Sequence, residues 1–231
     1  MRRHAPFSTI LPNAKVQRLP RSRKRPSLGF FYVKFLKVLC VLAIGLVVAC
    51  GGDNGGPTPD PNALKIFVTA TGHVADFTND PTLQGNNGVE KADDFCNKAS
   101  NKPDRTIYKA LLLDNALRVP TSGPAWVLQA NRTYHRANGV TAIGTTGPDA
   151  FFQLPYVQLA NAIDPTNKNP GVWTGVVLPN WNAGENCNGW SALRLSGARI
   201  GYSDQTGEQA VDANTIMDCS CLCPVYCVQQ P

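Results

Sequence analysis

The sequence predicts an α+β domain over residues 64–231, with mostly antiparallel strands, one main helix, long loops and disulfide bracing. Three observations carry this: short β-branched or apolar runs separated by long Asn-, Gly-, Pro- and Thr-rich stretches, a single helical periodicity, and six cysteines beyond an export signal. With 231 residues, 43% hydrophobic, and 22 Lys+Arg against 16 Asp+Glu, the chain is not collagen-like, largely disordered or a polytopic membrane protein.

The formal charge of +6 misleads about partners. Ten basic residues and no acid precede residue 39, so from residue 50 onward 12 basic residues face 16 acidic ones, a formal −4. That remainder has no basic footprint, and no nucleic-acid partner is expected. Residues 1–49 read as a basic extension followed by a lipoprotein signal peptide. The first 32 residues have no periodicity that buries a face and exceed an ordinary signal n-region, so the expectation is a mis-assigned start with initiation near Val33. The uncharged run Val38 to Ala49 is 12 residues long, which suits an export signal and falls short of the about 20 that a spanning helix needs.

Val47-Val48-Ala49-Cys50 is similar to a bacterial lipobox, in which Cys50 is acylated and becomes the first residue after cleavage. Residues 50–63, with Gly51, Gly52, Gly55, Gly56, Pro57, Pro59 and Pro61, read as a flexible tether. The expected location is the bacterial cell envelope, anchored to membrane through the N-terminal lipid. Gly51 in place of an Asp after Cys50 points to the outer membrane, with a periplasmic or surface-exposed domain.

In the domain itself, Lys65 to Thr71 is β-branched and apolar enough for a strand, and Asn86-Asn87-Gly88 closes the loop after it. Val89, Ala92, Cys96 and Ala99 recur with helical spacing while Lys91, Asp94 and Lys98 take other faces, so a helix over 89–99 points Cys96 inward. Tyr108 to Leu113 reads as a buried strand, with further strands at Ala125 to Leu128, Val172 to Val177 and Pro224 to Val228. The long segments between them exceed usual connections, which suits a binding surface or a covalent scaffold.

Cys96, Cys187, Cys219, Cys221, Cys223 and Cys227 are even in number and lie past an export signal, which favours disulfides, but the residues alone leave 15 connectivities open. Cys219, Cys221, Cys223 and Cys227 as a zinc cluster lack paired CxxC spacing and are the disfavoured alternative. The order of Ala92 to Cys96, Tyr108 to Leu112, Val172 to Gly175, Cys187-Asn188-Gly189-Trp190, Gly197 to Gly201, Cys219, and Val225-Tyr226-Cys227-Val228 resembles the endostatin-like branch of the C-type-lectin-like fold. More closely, it resembles a spirochaete-type lipoprotein domain family of unknown function, over about residues 65–230. That resemblance implies pairing of Cys96 with Cys227 and of Cys187 with Cys219, over sequence separations of 131 and 32. Cys221 and Cys223 depart from it, and a bridge between them closes a small, easily reduced ring.

No catalytic signature appears, and neither a catalytic residue nor a cofactor is expected. His73 and His135 sit at no ligand spacing and read as loop or surface histidines, GxSxG is absent around Ser191, and Gly144 to Gly147 is followed by no Lys. Lectin-like folds often bind sugar through Ca²⁺ held by Glu-Pro-Asn and Trp-Asn-Asp motifs, neither of which is complete here. Leu178-Pro179-Asn180-Trp181-Asn182 with Glu185 and Asn186 still gathers oxygen donors and an indole, so Asn180, Trp181, Asn182, Glu185 and Asn186 form the candidate ligand loop. Glu185 is its only acid, where Ca²⁺ takes six to eight oxygens, so no metal is expected and Trp181 reads as a packing lid. Trp126, Trp173 and Trp190 read as core aromatics, and Arg132 to Arg136 as a solvated strand.

The expectation is therefore a recognition domain whose loops between Asn115 and Asn188 bind a host or matrix protein, an envelope component or a glycan. The alternatives are a structural envelope lipoprotein with no dedicated ligand and, less favoured, a formylglycine-generating-type enzyme, which needs a reactive cysteine pair.

Overall fold

A computed structural model describes residues 58, 60, 62–120, 125–153, 158–167, 171–193 and 197–231. The chain divides into Met1–Gly52 and Asp53–Pro231, and the second unit holds every described residue. The basic extension, the export signal, Cys50 and most of the Gly/Pro tether lie outside the described residues.

The domain is α+β. Its main sheet runs in the order β2 (Tyr108–Ala110), β10 (Tyr226–Gln229), β1 (Leu64–Val68), β3 (Thr133–His135), β4 (Ala142–Thr145). All neighbours are antiparallel except β1 and β3, which run parallel. A second sheet orders β5 (Val172–Trp173), β8 (Ala198–Gly201) and β9 (Ile216–Met217), and β6 (Val176–Val177) pairs with β7 (Asn182–Ala183).

Period-two alternation sorts side chains of the main sheet into two cores. Ile66, Val68, Leu111, Leu113, Tyr226 and Val228 enter one, where Trp126, Phe152, Leu159 and Trp181 from the loops cover them. Phe67, Ala110, Leu112, Val225 and Cys227 enter the other, under α1 (Gly88–Lys98), Trp173 and Trp190. Because both faces are covered, Tyr108 to Leu113 reads as an apolar run with only Lys109 breaking it.

The helix forms where its periodicity places it. Asn87 is the N-cap, its side chain accepting from Glu90 N at 2.9 Å, and Val89, Ala92 and Cys96 are buried. Gly88 has no side chain because the Trp190 carbonyl occupies the space a Cβ needs. Side chains close the outer edge of β2. Asn97 bonds both Tyr108 N (3.0 Å) and Tyr108 O (2.7 Å), Asp93 accepts from Ala110 N (2.8 Å), and Arg118 donates to Ala110 O (2.6 Å).

Two expected strands differ. Trp126 to Leu128 is buried and Ala125 partly so, but the segment forms no ladder: Gln230 donates to Val127 O at 3.2 Å, and Gln129 N donates to the Tyr134 hydroxyl at 2.7 Å. Side-chain partners replace a neighbouring strand. Val172 to Val177 breaks into β5 and β6 at Thr174-Gly175, whose two N–H groups both donate to Arg199 O at 3.1 Å, with Gly175 at φ 66°.

Three disulfides join the six domain cysteines: Cys96–Cys227, Cys187–Cys219 and Cys221–Cys223. The first ties α1 to β10 across a separation of 131 residues, the second the turn Cys187–Trp190 to the chain after β9 across 32. Loops of this size correspond to about 5 and about 4 kcal/mol of chain-entropy stabilisation. With all six paired, no thiolate set remains for the zinc alternative.

Candidate recognition site

The β6–β7 hairpin and the chain that supports it hold most of the residues that the sequence singles out. Its turn contains a cis peptide at Leu178-Pro179, and Leu178 N donates to Asp212 Oδ2 at 3.0 Å. Trp181, at φ 52°, points inward and is 0% exposed. It stacks on Phe151 (5.2 Å, 15°) and meets Trp126 edge-on at 6.0 Å, while its Nε1 is buried with no hydrogen-bond partner. Burying an indole body this way stabilises the turn, but an unbonded N–H costs about 1–3 kcal/mol. With Trp181 turned in, Asn180 and Asn182 on either side of it are exposed.

Two clefts line the two halves of this turn. One, of about 490 Å³, is formed by Leu178 and Pro179 with Arg199, Glu208, Asp212 and Asn214. The other, of about 300 Å³, is formed by Asn180, Trp181 and Asn182 with Asp114, Asn115 and Val119. In the first, Arg199 is fixed by Glu185 (2.9 Å), Asn214 (3.0 Å) and Asp212 (3.7 Å). The Glu185 carboxyl is held below the usual range by its own backbone N–H and then by Arg199.

The candidate ligand loop therefore separates into parts. Asn180 and Asn182 present amides outward, Trp181 supports them from below, and Glu185 is engaged with Arg199. Asn186 caps Gly189 N at 2.9 Å and so serves the fold. Among the described residues no group of three or more His, Cys, Asp or Glu side chains is placed to hold a metal ion. One cleft thus offers neutral amides from Asn180 and Asn182, and the other a guanidinium, Arg199, already held by acidic and amide partners.

Arg199, Glu208 and Asp212 were not legible as site residues. They lie far from the loop in sequence and reach it only through the fold, and no local spacing marks them.

The histidines lie elsewhere. His73 lies in the chain between β1 and α1, as a loop residue, and is half-buried: its ring stacks on Phe77 at 4.3 Å and Nε2 meets Asp80 Oδ2 at 2.9 Å. The Thr82 hydroxyl, followed by His73, holds the Asp80 carboxyl down at about 2. A depressed carboxyl stabilises the fold fully above its unfolded value of about 3.9 and ceases to do so as pH falls through the folded one. Thermal midpoints measured from pH 6 to pH 2 are expected to fall between about pH 4 and 2, and Asp80→Asn is expected to make that limb shallower, with Asp104, also held down to about 2, supplying part of the rest. An unchanged acid limb in the variant counts against this role. His135, on β3, has its Nδ1 buried without a partner.

The described residues thus form a disulfide-braced α+β domain presenting a loop-built pair of clefts. Residues 80–208 match the family described as protein of unknown function (DUF1554), and the chain belongs to it. No curated protein and no solved structure matches the chain. The match includes Cys96 and Cys187 but ends before Cys219 and Cys227, and it also leaves out β1 and β10.

Proposed function

We propose that this protein is an exported bacterial lipoprotein, acylated at Cys50, whose domain is of the C-type-lectin-like, endostatin-like type and acts by recognition at the cell envelope, in the outer membrane. The signal-like run ending at Cys50, the Gly/Pro tether and the disulfide bracing support export. The observation that carries the recognition reading is the turn at residues 178–182, where exposed Asn180 and Asn182 sit over a rigid aromatic support beside two clefts. A host or matrix protein, an envelope component or a glycan is the ligand class in this reading.

Glycan and matrix-protein arrays probed with the purified full chain, with and without Ca²⁺, test it. Binding is expected, and Asn180→Ala with Asn182→Ala is expected to weaken it by about tenfold, or roughly 1.4 kcal/mol. Uniform silence in both conditions removes the recognition reading and leaves a structural envelope role. Incorporation of labelled palmitate that is lost in Cys50→Ser tests the anchor separately.

A further inference from the structure

The three disulfides differ in what they hold and in who can reach them. Cys96, Cys187, Cys219, Cys223 and Cys227 are buried, whereas Cys221 is only partly so. Between the sulfurs of the Cys221–Cys223 bridge, Leu222 is 69% exposed, so this ring stands at the surface. The bridge spans a sequence separation of 2, against 131 and 32 for the others, and therefore constrains the least chain.

The backbone around it has its own support. Cys221 N donates to Asp218 O (2.9 Å), His73 N to Cys223 O (2.9 Å), Trp173 N to Pro224 O (3.0 Å) and Val225 N to Thr69 Oγ1 (3.1 Å). None of these bonds needs the sulfur–sulfur link. A partly exposed cysteine beside an exposed Leu222, a small ring and a neighbourhood held without it together define a bond that can open without opening the fold.

We propose that Cys221–Cys223 is a thiol–disulfide exchange site for external dithiols, attacked at Cys221, while the other two bridges remain structural. A thiolate of the dithiol bonds to Cys221 Sγ as the Cys221–Cys223 bond breaks, and Cys223 leaves with the electron pair as a thiolate. The second thiol of the same dithiol then attacks its own sulfur in the mixed disulfide, and Cys221 leaves as a thiolate. The dithiol departs oxidised, two electrons have passed to the protein, and two protons end on Cys221 and Cys223.

The full, oxidised chain is titrated with dithiothreitol, acid-quenched, alkylated and mapped by mass spectrometry. Cys221 and Cys223 are expected to be labelled at a dithiothreitol concentration at least about tenfold below that which labels Cys96 or Cys187. The thermal transition is expected to persist across that window. Simultaneous labelling of all six bridged cysteines, or first labelling at Cys187 and Cys219, overturns the proposal. Single variants test the direction of attack: in folded Cys223→Ser the remaining Cys221 thiol is expected to react with iodoacetamide at least about tenfold faster than the remaining Cys223 thiol in Cys221→Ser. Equal rates, or the reverse order, overturn attack at Cys221.

Discussion

The double variant Cys96→Ser, Cys227→Ser is expected to lose about 5 kcal/mol of unfolding free energy, the largest effect of any single brace. The bond joins the buried face of α1 to β10, which lies between β1 and β2 in the main sheet. Without it, 131 residues of separation return to the unfolded ensemble. Domains of this size have only about 5–15 kcal/mol in total, so the variant should sit close to its unfolding threshold at room temperature. Urea titration followed by circular dichroism measures the loss. A midpoint displaced by less than the equivalent of about 1 kcal/mol would show that burial and the Asn97 and Asp93 hydrogen bonds hold the helix to the sheet without the bridge. The pair Cys187→Ser, Cys219→Ser, across the shorter separation, should lose less.

Arg118→Met is expected to cost about 3 kcal/mol, although Arg118 lines neither cleft of the candidate site. Its side chain is almost wholly buried, and its guanidinium grips both oxygens of Asp93 at 2.8 and 2.7 Å. The same group donates to Ala110 O at 2.6 Å and Ala125 O at 3.1 Å. Methionine fills much of the volume but leaves the Asp93 carboxylate, 17% exposed, without its counter-charge and the Ala125 carbonyl without its donor, while Asp93 still accepts from Ala110 N and Ala110 O from Leu112 N. Adding Asp93→Asn removes that charge and should recover part of the loss. A double-mutant cycle by chemical denaturation checks this. Additive losses, with no coupling beyond about 0.5 kcal/mol, would mean that the pair does not act as a unit.

The main helix and most of the core were legible because their signals are local. Val89, Ala92 and Cys96 repeat every three or four residues, and a helix must bury whatever stripe results. Tyr108 to Leu112 were legible as interior for the same reason, though only β2 within them forms a ladder. Trp126, Val127 and Leu128 show the limit: apolar composition predicts burial correctly and says nothing of whether the backbone finds a strand or a side chain. The break at Thr174-Gly175 depends on the Arg199 carbonyl, 24 residues beyond Gly175, so no window around the break reveals it. In the candidate site, Asn180, Trp181 and Asn182 were legible from their own chemistry, while Arg199, Glu208 and Asp212 were not. Their role comes from β8 and the chain after it, brought alongside the turn by long-range packing.

The position of β10 governs how this chain can fold in time. Its last strand fills the gap between β1 and β2 and carries the partner of Cys96. As the polypeptide emerges residue by residue, β1, β2 and α1 appear early, yet the slot in the sheet stays vacant until β10 has been made. The main sheet therefore cannot close by pairing neighbours as they appear: its central register waits on a segment more than 110 residues beyond β2, and the helix waits on the same segment for its covalent link.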